Sequence, residues 1–388
     1  MRAGPDPNLK LRVLDNKEDE IMKKLFLVTL VMLSVIGMVL AGCSSSTPAT
    51  QTSAPTSAAP STSVAPPPTQ TAAQKPIELT FADYQPANNG ATVVAVEWLK
   101  KVEAASNGRL KFKTFVGGTL MAADQSFVEL KKGTADISVV PSQLISSSFP
   151  LNVLSQKLMY GCKSLENDFK IYDQLQKQIP EFAAEWSSVK PLFSHDPGEQ
   201  HLQSIKPVRS LADMKGLKVR TAGPWLKDAF TTLGASVITV PPTEIYISLQ
   251  KAIIDADVHP MEFLMSYKTG EVEKYTTLLN IFDAPASRYC MNLDSYNKLP
   301  PDLQKLINDM MPQAQTDMVA MLNKINAEGL DWCLKLGPHE VITLPPADLA
   351  KFYELAEAEA VKAAKDADAK GLPGTKMFDL ARQLIKNQ

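Results

Sequence analysis

From Ser44 to Gln74 the chain carries no charged residue and consists mainly of Ser, Thr, Ala and Pro, closing near Pro66-Pro67-Pro68. Such a stretch cannot bury enough apolar surface to offset its chain entropy. Residues 44–75 are therefore expected as a disordered tether, about 30 Å in root-mean-square span. This restricts folding to 76–388, long enough at about 100–200 residues per domain for two units.

What precedes the tether sets its purpose. Lys23-Lys24 leads into an uncharged apolar run, Leu25 to Leu40, followed by Ala41-Gly42-Cys43. A basic segment, a short apolar segment and small residues before a cut are the layout of a secretory signal peptide. The run falls short of the roughly 20 apolar residues of a membrane span. Leu40-Ala41-Gly42-Cys43 resembles the bacterial lipobox, which implies that Cys43 is lipidated and becomes the first mature residue. Residues 1–21 do not fit this layout, and Met22-Lys23-Lys24 reads as an ordinary signal-peptide start. Residues 1–43 are thus expected to be a spurious extension plus a lipoprotein signal peptide. The folded part is expected outside the cytoplasm, lipid-anchored to the cell membrane through Cys43.

A formal net charge of -2, from 40 Lys+Arg against 42 Asp+Glu, argues against a nucleic-acid partner, which calls for a basic excess. Four cysteines without close spacing exclude a disulfide scaffold and a zinc finger. Cys162, Cys290 and Cys333 allow at most one disulfide.

The folded part alternates strands and helices. Ile77–Phe81 and Leu110–Val116 read as half-buried strands, the second closed by Gly117-Gly118. Ala95, Trp98, Leu99 and Val102 keep helical spacing between them, with Asn89 as N-cap and Gly108 as stop. A helix through Phe127 and Leu130 leads to a strand at Ala135–Val140. This β-α-β-α-β order predicts a largely parallel sheet. After a helical middle (Glu166–Trp186), strands are expected at Val189–Ser194, Leu217–Ala222, Ser236–Pro241, Ala256–His259 and Ser287–Leu293. A helix from Glu244 to Ile254 is expected behind a Thr243 cap. Leu303 to Ile325 keeps helical spacing with a kink at Pro312. A strand at Glu340–Leu344 and an Ala/Glu/Lys-rich helix end the chain.

Enzyme signatures are missing: there is no G-x-S-x-G, no phosphate-binding glycine loop and no H-E-x-x-H. Asp366 to Gly371 resembles a calcium loop only superficially, with Lys370 where a ligand is wanted. His195-Asp196 is read as a surface turn. On the Leu217–Ala222 strand Lys218 and Arg220 share the face opposite Leu217 and Val219. An Arg there is either a salt-bridged strand residue or a planar fork for a carboxylate, and the residues alone leave both open.

Leu211-Ala212-Asp213-Met214-Lys215-Gly216-Leu217-Lys218-Val219-Arg220 resembles a segment of the extracytoplasmic solute-binding proteins of TRAP transporters, the DctP family. The similarity continues through Leu233-Gly234-Ala235, Pro242-Thr243-Glu244-Ile245-Tyr246 and Asp255. Thr80-Phe81-Ala82, Gly117-Gly118-Thr119-Leu120, Leu130 to Asp136 and Leu299-Pro300-Pro301-Asp302-Leu303-Gln304 extend it over the whole folded part.

The resemblance implies an α/β, two-lobed periplasmic-binding-protein-like fold, type II-like, with segments exchanged between lobes and a long helix crossing both. Lobe I is expected from 76–197 and 284–325, lobe II from 198–283 and 326–388. Arg220 matches the family's carboxylate-binding arginine. His259 stands where the family has an asparagine beside that carboxylate, which implies pH-sensitive binding if it faces the ligand. Glu199 aligns with a frequent second arginine, which counts against dianions and sugar acids. Tyr84, Gln125, Gln203, Trp225 and Tyr246 are the remaining wall candidates. Tyr84, Trp225 and Tyr246 together suit a monocarboxylate with an apolar or aromatic body.

The expected function is capture of a small organic acid and its delivery to TRAP-type permease subunits, without catalysis, cofactor or metal. The alternatives are a substrate-binding lipoprotein of an ATP-driven (ABC) importer, a secreted enzyme acting on a small acid, and a structural surface lipoprotein.

Overall fold

The computed structural model describes residues 75–222, 226–285 and 287–388. Cys43 and Trp225 lie outside the described residues. Among the described residues no helix is long and apolar enough to cross a membrane.

Eleven described strands, numbered in chain order, form two sheets: β1 Ile77–Ala82, β2 Leu110–Phe115, β3 Ile137–Pro141, β4 Lys190–His195, β5 Gln200–Ser204, β6 Lys218–Arg220, β7 Ser236–Ile238, β8 Ala256–Pro260, β9 Tyr275–Ile281, β10 Ser287–Met291 and β11 Glu340–Thr343. The first sheet has the order β2-β1-β3-β10-β4 and the second β11-β9-β5-β8-β6-β7. Helices pack on both, giving a two-lobed, type II-like α/β fold.

Neither sheet is as parallel as the alternation of elements suggests. β1 pairs parallel with β2 and β3, but β10 runs antiparallel between β3 and β4. β5 runs antiparallel between β8 and β9. Both reversals occur where the chain crosses between sheets: from β4 to β5, and back from β9 to β10. A strand that enters from the other sheet needs no crossover helix, so it is free to pair antiparallel.

β5 and β9 escape the sequence reading. In β5, Gln-His-Leu-Gln-Ser, every residue is buried and only Leu202 is apolar. The side chains of Gln200, Gln203 and Ser204 find partners inside the protein, as where Gln203 Oε1 accepts from Thr276 Oγ1 at 2.5 Å, while His201 Nδ1 has none. Hydrophobic periodicity cannot detect such a strand.

The helix Gly90–Ala105 is capped by Asn89, whose side chain accepts from Ala91 N and Thr92 N. The helix after Pro242 is only Ile245–Gln250, and no Thr243 side-chain cap forms because Pro242–Glu244 is a 3-10 turn leading into it. The long helix is a single element, Pro301–Leu336, with Pro312 inside it. At about 1.5 Å per residue it is some 54 Å long, and it packs against Gly90–Ala105, β4 and the helix Met261–Ser266, so it touches elements of both sheets. The chain ends in two helices, Pro346–Asp368 and Gly374–Lys386. The last packs against Leu165–Gln178 and Pro150–Gln156. Residues 326–388 therefore do not all stay with the second sheet: its amphipathic face finds its apolar partners on helices of the first.

Gly117 and Gly118, both with φ near +70°, turn the chain after β2. Their N–H groups donate to Gln85 O (2.8 Å) and Asp83 O (3.1 Å), which fixes the segment leaving β1. The three thiols, Cys162, Cys290 and Cys333, are buried and unpaired with one another.

Candidate ligand-binding site

Where the sheets face each other, a cavity of about 30 Å³ is lined by Tyr84, His195, Arg220, His259, Phe263 and Asp283, among others. Ordinary small-molecule sites hold about 300 Å³ or more, whereas this space holds on the order of one water. The cleft is shut. Its lining sits at strand ends and crossings: Tyr84 and Gln85 after β1, His195 at the end of β4, Asp283 after β9, Arg220 at the end of β6. Strand ends at a crossing are where open α/β sheets bind ligands.

Arg220 is 1% exposed, and the parallel register sets it beside Asp257 of β8. Its Nε donates to Val240 O at 3.0 Å and its Nη1 to Asp257 Oδ1 at 3.1 Å, while Nη2 has no partner. Asp257 keeps one oxygen unpartnered too. Burial pushes its carboxyl up to about 6, against the pull of Arg220 and His259. Both residues form the buried edge of the fork, and one N–H pair of Arg220 is left for something else.

His259 lines the cavity with its ring, stacked on Phe263 at 5.3 Å. Its nitrogens are already engaged: Nδ1 with Pro260 O at 2.7 Å and Nε2 with Glu273 Oε2 at 2.9 Å. Both partners are acceptors, so the doubly protonated ring fits best. Burial pulls its pKa down, but Glu273, Asp257 and the Pro260 carbonyl outweigh burial and raise it. Both N–H groups of this ring are thus taken by acceptors of the protein itself.

Tyr84 is buried in the cavity wall. Three other candidates are not. Gln125 is exposed on the helical turn Ala123–Gln125 and donates to Asp124 at 3.3 Å. Tyr246 reaches outward, donating to Glu271 Oε2 at 2.9 Å. Gln203 is fully buried, but strand alternation puts it on the face opposite Gln200, where Thr276 and Met261 take its amide. Gln200 lines the cavity instead.

His195-Asp196 is not a surface turn. Both are buried, and His195 lines the cavity with neither ring nitrogen partnered. Burial pushes that imidazole down to about 3, so it is neutral. Asp196, Asp168 and Asp283 lie buried together at the crossing, each held above the ordinary carboxylate range by burial first. Gln85, Gln143, His195, Asp283 and Ser287 are the wall residues that motif reading passes over. Their one legible signal is position, at the ends of strands that cross or face the cleft.

One contact fastens the two layers. Glu262, on the helix after β8, accepts from Gly90 N at 2.7 Å and Asn89 Nδ2 at 2.6 Å, at the start of the helix after β1. A carboxylate is stabilised at a helix N-terminus; burial nonetheless holds Glu262 up at about 7, with Gly90, Ser266 and His259 pulling the other way.

The sequence model of bacterial extracellular solute-binding protein, family 7 (DctP) matches residues 81–366. The 2,3-diketo-L-gulonate-binding periplasmic protein YiaO of Escherichia coli is 28% identical over 223 residues, 55% of this chain and 66% of that protein. A TRAP periplasmic solute binding protein from Desulfovibrio salexigens, solved as an open complex, superposes with a TM-score of 0.68 at 26% identity, over 80% of this chain and 96% of that one. A TRAP solute binding protein from Rhodoferax ferrireducens, in complex with copurified benzoate, gives a TM-score of 0.73 at 22% identity, over 80% and 98%. At that identity the likeness is one of fold.

Proposed function

The chain belongs to the bacterial extracellular solute-binding proteins of family 7, the DctP family, and from that premise we propose that it captures a small carboxylate between its two sheets and delivers it to a TRAP-type permease. The observation that carries this reading is Arg220 Nη2, an N–H pair buried at the cavity with no partner in the protein. A buried guanidinium with half its fork open calls for an anion, and a carboxylate is the planar one that fits. The carboxylate named for the Escherichia coli relative agrees with that choice. Tyr84 and Phe263 supply apolar wall, and the His259 ring adds positive charge behind it. With one Arg among the described residues of the cavity wall, the site takes one carboxylate and not two. Residues 76–388 are held outside the cytoplasm, and we place the anchor at a lipidated Cys43. The reading assigns no catalytic step.

The test is thermal unfolding after ligand stripping by denaturation and refolding, against small carboxylates and their amides. A ligand at a hundredfold excess over its dissociation constant adds about 2.7 kcal/mol. An acid is expected to stabilise where its amide does not. Stabilisation by uncharged compounds alone contradicts the reading. Incorporation of labelled palmitate that survives Cys43→Ser contradicts the anchor.

A further inference from the structure

Four side chains on the cavity carry a buried polar atom without a partner: Gln85 Nε2, both ring nitrogens of His195, Arg220 Nη2 and Asp283 Oδ1. They come from both sheets and from the crossing between them, so the shut cleft concentrates unmet hydrogen-bonding capacity in one small space. Leaving such atoms unpaired is costly, and a ligand that meets them gains what the empty protein forgoes.

The demands are of two kinds. Arg220 and Gln85 present N–H groups there, which suit a carboxylate. A neutral His195 presents one donor and one acceptor, and Asp283 presents a carboxyl oxygen. A plain acid leaves the second pair unmet. We propose that the ligand is a hydroxy acid, its carboxylate taken by Arg220 and its hydroxyl by His195 and Asp283. This rests on the carboxylate reading above and narrows it.

A hydroxyl fits this pair because it both donates and accepts. An oxo group only accepts, so it can take a proton from Asp283 and from His195 but leaves the acceptor nitrogen of His195 without a donor. An ammonium requires a fixed negative charge. Burial, with the charge of Asp196, holds the Asp283 carboxyl well above its ordinary range, and burial keeps His195 neutral. Neither offers that charge.

The test is calorimetric titration of the stripped, refolded protein with matched sets: butanoate with its 2-hydroxy, 3-hydroxy and 2-oxo forms, phenylacetate with mandelate and 3-hydroxyphenylacetate, and the amide of each. The expected result is that a hydroxy acid binds at least about tenfold tighter than its parent, and that His195→Leu and Asp283→Asn remove the difference. Parents that bind as well as every hydroxylated form overturn the hydroxy-acid inference and leave the carboxylate reading standing. Amides that match acids, or no binding by any acid, overturn the carboxylate reading beneath it. A preference that survives in both variants overturns the assignment to His195 and Asp283. Circular dichroism checks that the variants fold; the comparison among ligands on the unaltered protein decides without them.

Discussion

Asp257 shares Arg220 with whatever enters the cavity. Its carboxylate sits on Nη1 at 3.1 Å, so an incoming anion meets a fork already half neutralised and a like charge beside it. Asp257→Asn removes that charge while keeping an acceptor for Nη1. Carboxylate affinity is expected to rise several-fold, read by titration near pH 7; an unchanged or weaker affinity contradicts the arrangement. The same logic gives a pH dependence. As pH falls through about 6, the folded-state value of Asp257, the competing charge is lost and a strong-acid ligand binds tighter. Asp257→Asn should flatten that part of the profile. Arg220 was legible in the sequence through its motif, but its competition with Asp257 was not. Nor was the engagement of His259 by Glu273, fourteen residues on, since strand register and a loop bring those groups together.

Elements of the two sheets meet through the helix Met261–Ser266. Its first residues lie so close to the long helix that a Cβ on Gly329 would stand 2.1 Å from Met261 O. Asn326, one turn earlier, accepts from Glu262 N at 3.0 Å and donates to Pro197 O at 2.9 Å, tying this helix to the β4–β5 crossing. Gly329→Ala is expected to push the helices apart at a cost of about 1–3 kcal/mol, measured as a lowered denaturant midpoint with unchanged slope. No change contradicts the packing. Glu262→Ala breaks the bonds to Asn89 and Gly90 that join the layers. It is expected to weaken ligand binding by about tenfold, mainly through faster release, seen by stopped-flow; an unchanged release rate contradicts its role in closure. Most elements were legible because their apolar residues recur at helical or strand spacing, as in Ala95, Trp98, Leu99 and Val102. β5 was not, because its buried side chains are mostly polar, and hydrophobic spacing does not register Gln200, His201, Gln203 and Ser204.

At the scale of the whole molecule, the buried ionisable groups make stability pH-dependent. Burial holds Asp83 and Asp257 at about 6 and Glu262 at about 7, above unfolded carboxyls near 4. Their contribution is full below the unfolded value and is lost as pH rises through about 6 and 7. His259, raised despite burial by Glu273, acts in the same sense. His195 and His201, lowered by burial to about 3 and 4, act oppositely: their contribution is complete above about 6.5 and is lost as pH falls. Above pH 6.5 the histidine contribution is nearly complete, whereas Glu262, His259 and the raised Asp168 and Asp283 still change. The melting temperature of the ligand-free protein is expected to fall between pH 6.5 and 8, and Glu262→Gln to reduce that fall; a rise over this window contradicts the burial of these groups. The two-lobed plan was legible from the order of its motifs. The exchange of the last helix onto the first sheet's helices was not, because an amphipathic helix does not state which surface it will cover.

The central claim is that Arg220 Nη2 receives the carboxylate. Arg220→Gln in an Asp257→Asn background avoids leaving a buried charge unpaired and isolates that contact. Calorimetric titration of this variant and of Asp257→Asn alone, with the strongest-binding acid and its amide, tests it directly. The account predicts that Asp257→Asn binds the acid and that adding Arg220→Gln lowers its affinity by at least about a hundredfold, on the order of 3 kcal/mol for a charge-assisted pair, leaving acid and amide alike. Undiminished preference for the acid without the guanidinium contradicts it.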